Sequence, residues 1–208
     1  IIISCAPKVS DYVLSEINQL GYRGKIINKL GVELMGSMRD AMTLNLWLRS
    51  ASKVLFEVKS FRAKTPDELY RNLVEIPWER TIPSNGYLRI ESFVKNDKIL
   101  DTRFANLKTK DAIVDRIKKT KGRRPNSGPD VNRTVVFLHW INDEVGIFIN
   151  TSGDTISKHG YRKIPFKAPM MESLAAATIL ASQWDQKSHF INPMCGSGTL
   201  AIEAALMA

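Results

Sequence analysis

The sequence predicts an α+β fold whose last forty residues turn into the opening of an α/β domain. Three observations lead there. Short period-two runs such as Lys53–Phe61 and Tyr87–Phe93 take turns with helical-period stretches such as Asp11–Leu20. Capping residues and glycines separate the two kinds of segment. Near the end, a short apolar stretch, His189–Asn192, runs into the glycine-bearing Pro193–Gly198 and then into the apolar Thr199–Ala208, the order strand, loop, helix.

Each element has its own signal. Ile1–Cys5 is a buried strand, and Asp11–Leu20 a helix with Val9, Val13, Ile17 and Leu20 along one side and Gly21 at its end. Lys25–Leu30 and Val32–Met35 form a hairpin around Gly31, Asp40–Leu48 a second helix, and Lys53–Phe61 a strand. Two helices over a small sheet make an α+β module. Thr65-Pro66-Asp67-Glu68 starts the next helix: Thr caps, Pro fits the first turn and Glu reaches back to the cap, until Pro77 stops it. Tyr87–Phe93 follows as a strand. Phe104–Lys119 is a helix with an expected apolar face of Phe104, Leu107, Ile113, Val114 and Ile117, ended by Gly122. Asn126–Asn132 reads as a polar loop, and Thr134–Ile141 with Val145–Thr151 as a hairpin around Asn142–Glu144. Gly153–Pro169 is linker-like, and Met170–Ser182 is an alanine-rich helix.

Composition narrows the functional classes. The chain has 208 residues, 44% apolar and 25% charged, as soluble globular proteins do. Its longest apolar stretches fall well short of the roughly 18 residues of a membrane helix, and no secretory leader opens it. It begins at Ile1 rather than Met and ends inside a helix, so further chain is expected beyond it. Two cysteines, Cys5 and Cys195, make neither a disulfide framework nor a zinc site, which leaves the cytoplasm as the expected compartment and no metal.

Thirty Lys and Arg against 21 Asp and Glu give a net charge of +9, and the excess is local. Arg103–Arg124 holds nine basic side chains (Arg103, Lys108, Lys110, Arg116, Lys118, Lys119, Lys121, Arg123 and Arg124) opposed by Asp111 and Asp115, so this stretch carries +7. Such a patch repels itself, and a polyanion relieves the repulsion while releasing its own counterions. A solvated helix face is the plainer reading. Arg103, Lys108, Lys110, Lys119, Lys121, Arg123 and Arg124 are the candidate RNA contacts.

The loop Asn192-Pro193-Met194-Cys195-Gly196-Ser197-Gly198-Thr199 precedes a helix whose first N–H groups lack intrahelical partners. No lysine follows Gly198, so a phosphate-binding P-loop is excluded. Gly196, Gly198 and Ala201 satisfy a G-x-G-x-x-A dinucleotide pattern, and an S-adenosylmethionine pocket and a structural turn remain beside it. Asn192, Met194, Gly196, Ser197, Gly198 and Thr199 are the candidate cofactor residues. Glu203 is either a surface charge or a supporting partner, and Glu172 opens its helix where the dipole favours a carboxylate. Cys5 is expected in the core; Cys195 is either a small buried hydrophobe or packs on the cofactor. His139, His159 and His189 do not cluster, and Trp47, Trp78, Trp140 and Trp184 are expected in the core.

Asn192–Ala205 (N-P-M-C-G-S-G-T-L-A-I-E-A-A) resembles the D-P-M-C-G-S-G-T-x-x-I-E-A-A signature of THUMP-domain RNA methyltransferases, most of all the bacterial enzymes acting on the guanine N2 of large-subunit ribosomal RNA. Leu46–Val54, Lys108–Arg116, Gly122–Pro125, Gly160-Tyr161-Arg162 and Ala168–Ala177 resemble further segments of that family, so the likeness covers nearly the whole chain. Asn192 departs from the family's usual Asp: it keeps hydrogen bonding without the negative charge. The resemblance implies an N-terminal ferredoxin-like module at 1–61 completed by part of 151–166, a THUMP RNA-binding domain at 62–150, and the start of a Rossmann-like methyltransferase domain at 167–208. It implies S-adenosyl-L-methionine as cofactor and large-subunit ribosomal RNA as partner. The family's later Asn/Asp-Pro-Pro-aromatic motif is absent from these residues, so the 208 residues alone are expected not to methylate, and none is a catalytic candidate. A non-catalytic RNA-binding adaptor, a tRNA-directed methyltransferase and a nicotinamide- or flavin-linked oxidoreductase are the alternatives.

Overall fold

The computed structural model describes residues 1–96, 101–131, 133–163 and 169–208. It divides into two compact units, one made of Ile1–Val54 with Thr155–Ala208 and the other of Leu55–Asp154.

The first unit begins β1 (Ile2–Cys5), α1 (Ser10–Gln19), β2 (Gly24–Asn28), β3 (Gly31–Leu34), α2 (Met38–Trp47) and β4 (Ala51–Arg62). This β-α-β-β-α-β order is the ferredoxin-like pattern, and the strands lie in the order β2-β3-β1-β4. Only the first four residues of β4 belong to this unit. Val13 and Ile17 of α1 and Ala41 and Leu44 of α2 are fully buried, as their spacing requires. Ser37 starts α2 with a reciprocal cap: its Oγ accepts from the Asp40 amide while its own N–H donates to the Asp40 carboxylate at 2.7 Å. Cys5 is buried, which raises its thiol to about 11, with Asp11 adding to the shift. The unit resumes at Thr155, where Ile156 N–H donates to the Ser52 carbonyl, and ends with α5 (Glu172–Ala181) and α6 (Thr199–Met207).

The second unit contains the rest of β4, α3 (Pro66–Val74), a 3-10 turn at Trp78–Arg80, β5 (Tyr87–Lys95), α4 (Thr102–Lys121), β6 (Asn126–Ser127), β7 (Thr134–Ile141) and β8 (Glu144–Asn150). Its strand order is β4-β8-β7-β5-β6. β4–β8 and β8–β7 run antiparallel, β7–β5 and β5–β6 parallel. The parallel β5–β7 pair needs a long crossover, and α4 supplies it. Leu69 and Leu73 of α3, Ile113 and Ile117 of α4, and Leu138 and Trp140 of β7 close one core with Trp78. Both buried indoles are satisfied, Trp78 Nε1 donating to the Leu73 carbonyl and Trp140 Nε1 to that of Ala63. Gly122 ends α4 in the left-handed region, φ 71°.

Several expectations are corrected. Phe104 and Leu107, expected on the apolar face of α4, are 46% and 48% exposed; the helix buries Ala105, Thr109, Ala112, Ile113, Val114 and Ile117 instead, most of them further along it. Trp47 ends α2 at 64% exposure rather than in the core. Trp184 is only half-buried, its ring edge against Phe190. Asn126–Ser127 is a short strand on β5, not loop. Residues 189–192 form no strand, since among the described residues no neighbouring strand supplies a ladder. The junction expected near 167 falls at 164–168, outside the described residues.

Candidate cofactor loop and basic face

The loop between residues 192 and 198 is built on glycine conformations. Gly196 and Gly198 sit at φ 52° and 78°, and a side chain on Gly196 would meet nothing within 4 Å. Gly198 N–H donates to the Cys195 carbonyl at 2.7 Å, and Ile202 N–H to the Gly198 carbonyl at 2.9 Å, so the chain turns tightly into α6. The earlier N–H groups of that helix have no intrahelical acceptor, as at any helix start. Met194 is 88% exposed, and Cys195 is exposed rather than a buried hydrophobe. Ser197 Oγ and Thr199 Oγ1 lie 3.0 Å apart. The Asn192 side chain carries the clearest sign of a missing partner: its Nδ2 donor is shut away from solvent and meets no acceptor among the described residues. An orphaned buried donor costs about 1–3 kcal/mol, and an oxygen-rich ligand in the loop removes that cost. The ribose and carboxylate oxygens of S-adenosylmethionine are such acceptors, so the residues fit this cofactor.

Behind the loop lies a buried polar network that the sequence left undecided. Arg162 Nη2 donates to Thr199 Oγ1 at 3.1 Å and to the Met170 carbonyl at 3.0 Å, with Glu172 Oε1 at 3.5 Å. Glu203, fully buried one turn into α6, holds His159 Nδ1 at 2.7 Å and Arg49 Nη1 at 3.4 Å. Burial alone would raise its carboxyl, yet the hydrogen bond of His159 and the charges of His159 and Arg49 help hold it below the ordinary range. Burial, then Glu203, push the Tyr161 phenol up. Glu16 is also buried, accepting from the amides of Arg49 and Ser50 and from the Ser50 hydroxyl; burial raises its carboxyl against those bonds. Carboxylates standing alone in the apolar helices α5 and α6 were the available signal.

The basic stretch separates into two parts. Arg103 is bound by Asp101, Lys108 lies 3.2 Å from Asp67, and Lys110 lies 3.7 Å from Asp111. Arg116 forms a two-pronged pair with Glu79 at 2.9 and 3.1 Å. Lys118, Lys119, Lys121, Arg123 and Arg124 are all exposed, on the last turn of α4 and the loop after it. The predicted RNA contacts Lys119, Lys121, Arg123 and Arg124 therefore stand together, whereas Arg103, Lys108 and Lys110 are engaged with carboxylates. Hydrogen bonds from Arg116 bring the Glu79 carboxyl down to about 2. A depressed carboxyl stabilises the fold above its unfolded value, and that contribution disappears as pH falls towards about 2. Glu79→Gln is accordingly expected to lower the thermal midpoint at pH 7, with the gap from wild type closing between about pH 4.5 and 2 in melts across that range; a gap independent of pH would refute the assignment.

Of the histidines, His139 stacks on Phe93 at 5.6 Å, its burial lowering its pKa, and His159 belongs to the network. No group of three or more His, Cys, Asp or Glu able to hold a metal occurs among the described residues, and no described helix is long and apolar enough to cross a membrane.

A ferredoxin-like module, a sheet domain with an exposed cationic helix end, and a glycine loop opening a helix define the class: a modular α/β protein. Residues 1–55 match the RlmL ferredoxin-like domain, 63–150 the THUMP domain, and 159–208 the RMKL-like methyltransferase domain. Domain by domain, the chain is therefore similar to the THUMP-domain RNA methyltransferases. It is 36% identical to the ribosomal RNA large subunit methyltransferase K/L of Syntrophotalea carbinolica over 97% of its own length, and 35% identical to that of Magnetococcus marinus over 93%. It spans only 29% and 27% of those relatives. Among solved structures, a Listeria monocytogenes protein described as a predicted N6-adenine-specific DNA methylase aligns with TM-score 0.87 at 32% identity, and the methyltransferase SMU.472 in complex with SAH with 0.86 at 30%. Each alignment covers 99% of this chain and 54% of the other. TrmN from Thermus thermophilus shares the fold, with TM-score 0.78 at 17% identity over 99% of this chain and 61% of its own.

Proposed function

We propose that this chain is the RNA-gripping and cofactor-opening part of an S-adenosyl-L-methionine-dependent methyltransferase that modifies the exocyclic N2 of a guanine in large-subunit ribosomal RNA, a cytoplasmic substrate. The observation that carries the reading is the buried, unpartnered Asn192 amide in a glycine loop that opens a helix. The division is 1–61 with part of 151–166 for the ferredoxin-like module, 62–150 for the THUMP domain, and 167–208 for the start of the methyltransferase domain.

In this reading Asn192, Met194, Gly196, Ser197, Gly198 and Thr199 hold the cofactor. Asn192 donates from Nδ2, the glycines admit the ligand against the backbone, and the first N–H groups of α6 face its polar end. The bound cofactor supplies a sulfonium-activated methyl group. The guanine amine is a weak nucleophile, its lone pair delocalised into the ring, so the protein's contribution is alignment. Lys119, Lys121, Arg123 and Arg124 grip phosphates and orient the RNA; the target base must leave its stack to be reached. The residues that hold the amine are expected outside this chain, so these 208 residues alone do not methylate.

Labelled methyl transfer by the complete protein onto protein-free ribosomal RNA, with transfer RNA in parallel, tests the proposal. Incorporation into large-subunit RNA at guanine N2 supports it. Incorporation into transfer RNA alone would move the substrate, and RNA binding without transfer would leave an adaptor.

A further inference from the structure

Resting on the cofactor reading above, we propose that Glu203 and Arg49 are a positioning pair for the cofactor loop, a buried clasp through which the ferredoxin-like module sets the direction of α6. Glu203 lies four residues, one helical turn, beyond Thr199. It is too far along the helix to face a ligand in the 192–198 loop, yet its carboxylate is fully buried. Its partners come from elsewhere in the chain: Arg49 from the corner between α2 and β4, and His159 from the segment before α5.

Arg49 grips α6 twice. Nη1 reaches Glu203 at 3.4 Å, and Nη2 donates to the Leu206 carbonyl in the last turn at 2.8 Å. The Arg49 backbone is fixed in turn: its N–H donates to Glu16 at 2.9 Å, and its carbonyl accepts from His159 Nε2 at 3.1 Å. A carbonyl only accepts, so Nε2 carries the hydrogen it donates, while Nδ1 lies 2.7 Å from the Glu203 carboxylate. At the other end of the first turn Arg162 holds Thr199 and Glu172. The helix is thereby pinned at two points one turn apart, and its free N–H groups have one direction to point. Neutralising Glu203 removes the charged half of the Arg49 grip and leaves its bond to the Leu206 carbonyl with the Arg162 point, so the loop is held less well for its ligand.

The test uses the full-length protein with S-adenosylhomocysteine as calorimetric probe, circular-dichroism melts as fold control, and the KM for S-adenosylmethionine beside the affinity for ribosomal RNA. Glu203→Gln and Arg49→Met are each expected to weaken the probe about tenfold and to raise that KM, with RNA affinity unchanged. The double variant is expected to lose no more than the worse single one, as a pair acting together does. Arg49→Gln, at a side chain one-third exposed, is the variant best able to keep the fold, and about a fivefold loss is expected of it. Wild-type affinity in folded Arg49→Gln, or fully additive losses in the double variant, overturns the pair while leaving the cofactor reading intact. A wild-type protein that binds no S-adenosylhomocysteine overturns that reading and the inference with it.

Discussion

A valine at position 196 is expected to abolish measurable S-adenosylhomocysteine binding, a loss of more than about a hundredfold, while the protein stays folded. The residue adopts φ 52°, a region that β-branched side chains reach only with a strain of about 1–3 kcal/mol. The surrounding protein does not resist the side chain, for a Cβ at this position meets nothing within 4 Å. The isopropyl group therefore occupies the space in front of the backbone, where a ligand has to approach. Strain twists the loop and bulk fills it, and both act on the ligand more than on the core, since Gly196 is exposed. Calorimetry with a thermal melt as control decides the matter. Wild-type affinity in the folded variant would take the loop out of the cofactor site.

The second large effect is expected on RNA. Replacing Lys119, Lys121, Arg123 and Arg124 together with alanine should weaken binding of ribosomal RNA by a hundredfold or more near 0.1 M salt. Each phosphate contact contributes roughly 0.7–0.9 to the slope of log K against log salt, so the slope should fall by about two to four. These side chains are exposed at the end of α4, and their charge also suits the negative end of the helix dipole. That plainer role predicts a small change in melting and no change in salt slope, so the two readings part cleanly in a titration series. Alanines at Arg103 and Lys108 should cost much less, because RNA has to compete there with Asp101 and Asp67.

The fold was legible where local chemistry decides it. Thr65-Pro66 and Gly122 mark helix ends by capping and by left-handed backbone, both written in single residues. The glycine loop was equally plain, since two glycines at positive φ before a helix are a local requirement. What escaped depends on distant partners. Nothing near Arg49 in the sequence announces Glu203, 154 residues away. The pairing of Lys108 and Arg116 with Asp67 and Glu79 was hidden for a similar reason: charge arithmetic over Arg103–Arg124 leaves out carboxylates that folding brings to it, and it also leaves out Asp101, two residues before Arg103 and just outside the counted window. The 189–192 strand was over-read from apolar composition, which does not supply a neighbour to pair with. Phe104 and Leu107 lie near the start of α4 and are exposed, although Leu107 is in phase with the buried Val114 one heptad on, so helical period alone did not reveal how far along the helix the packing reaches.

The first unit is discontinuous, with Ile1–Val54 separated from Thr155–Ala208 by a hundred residues that form the second. On a ribosome adding about 5–20 residues per second, the opening segment waits roughly 5–20 s before its complement is made. In that interval the intervening unit, contiguous in the chain, is free to finish first. Contacts across such a separation carry a high loop-closure cost until the intervening chain is ordered. The inserted unit thus acts as a hinge-pin for biogenesis: by folding early it shortens the effective tether between the two halves of its host.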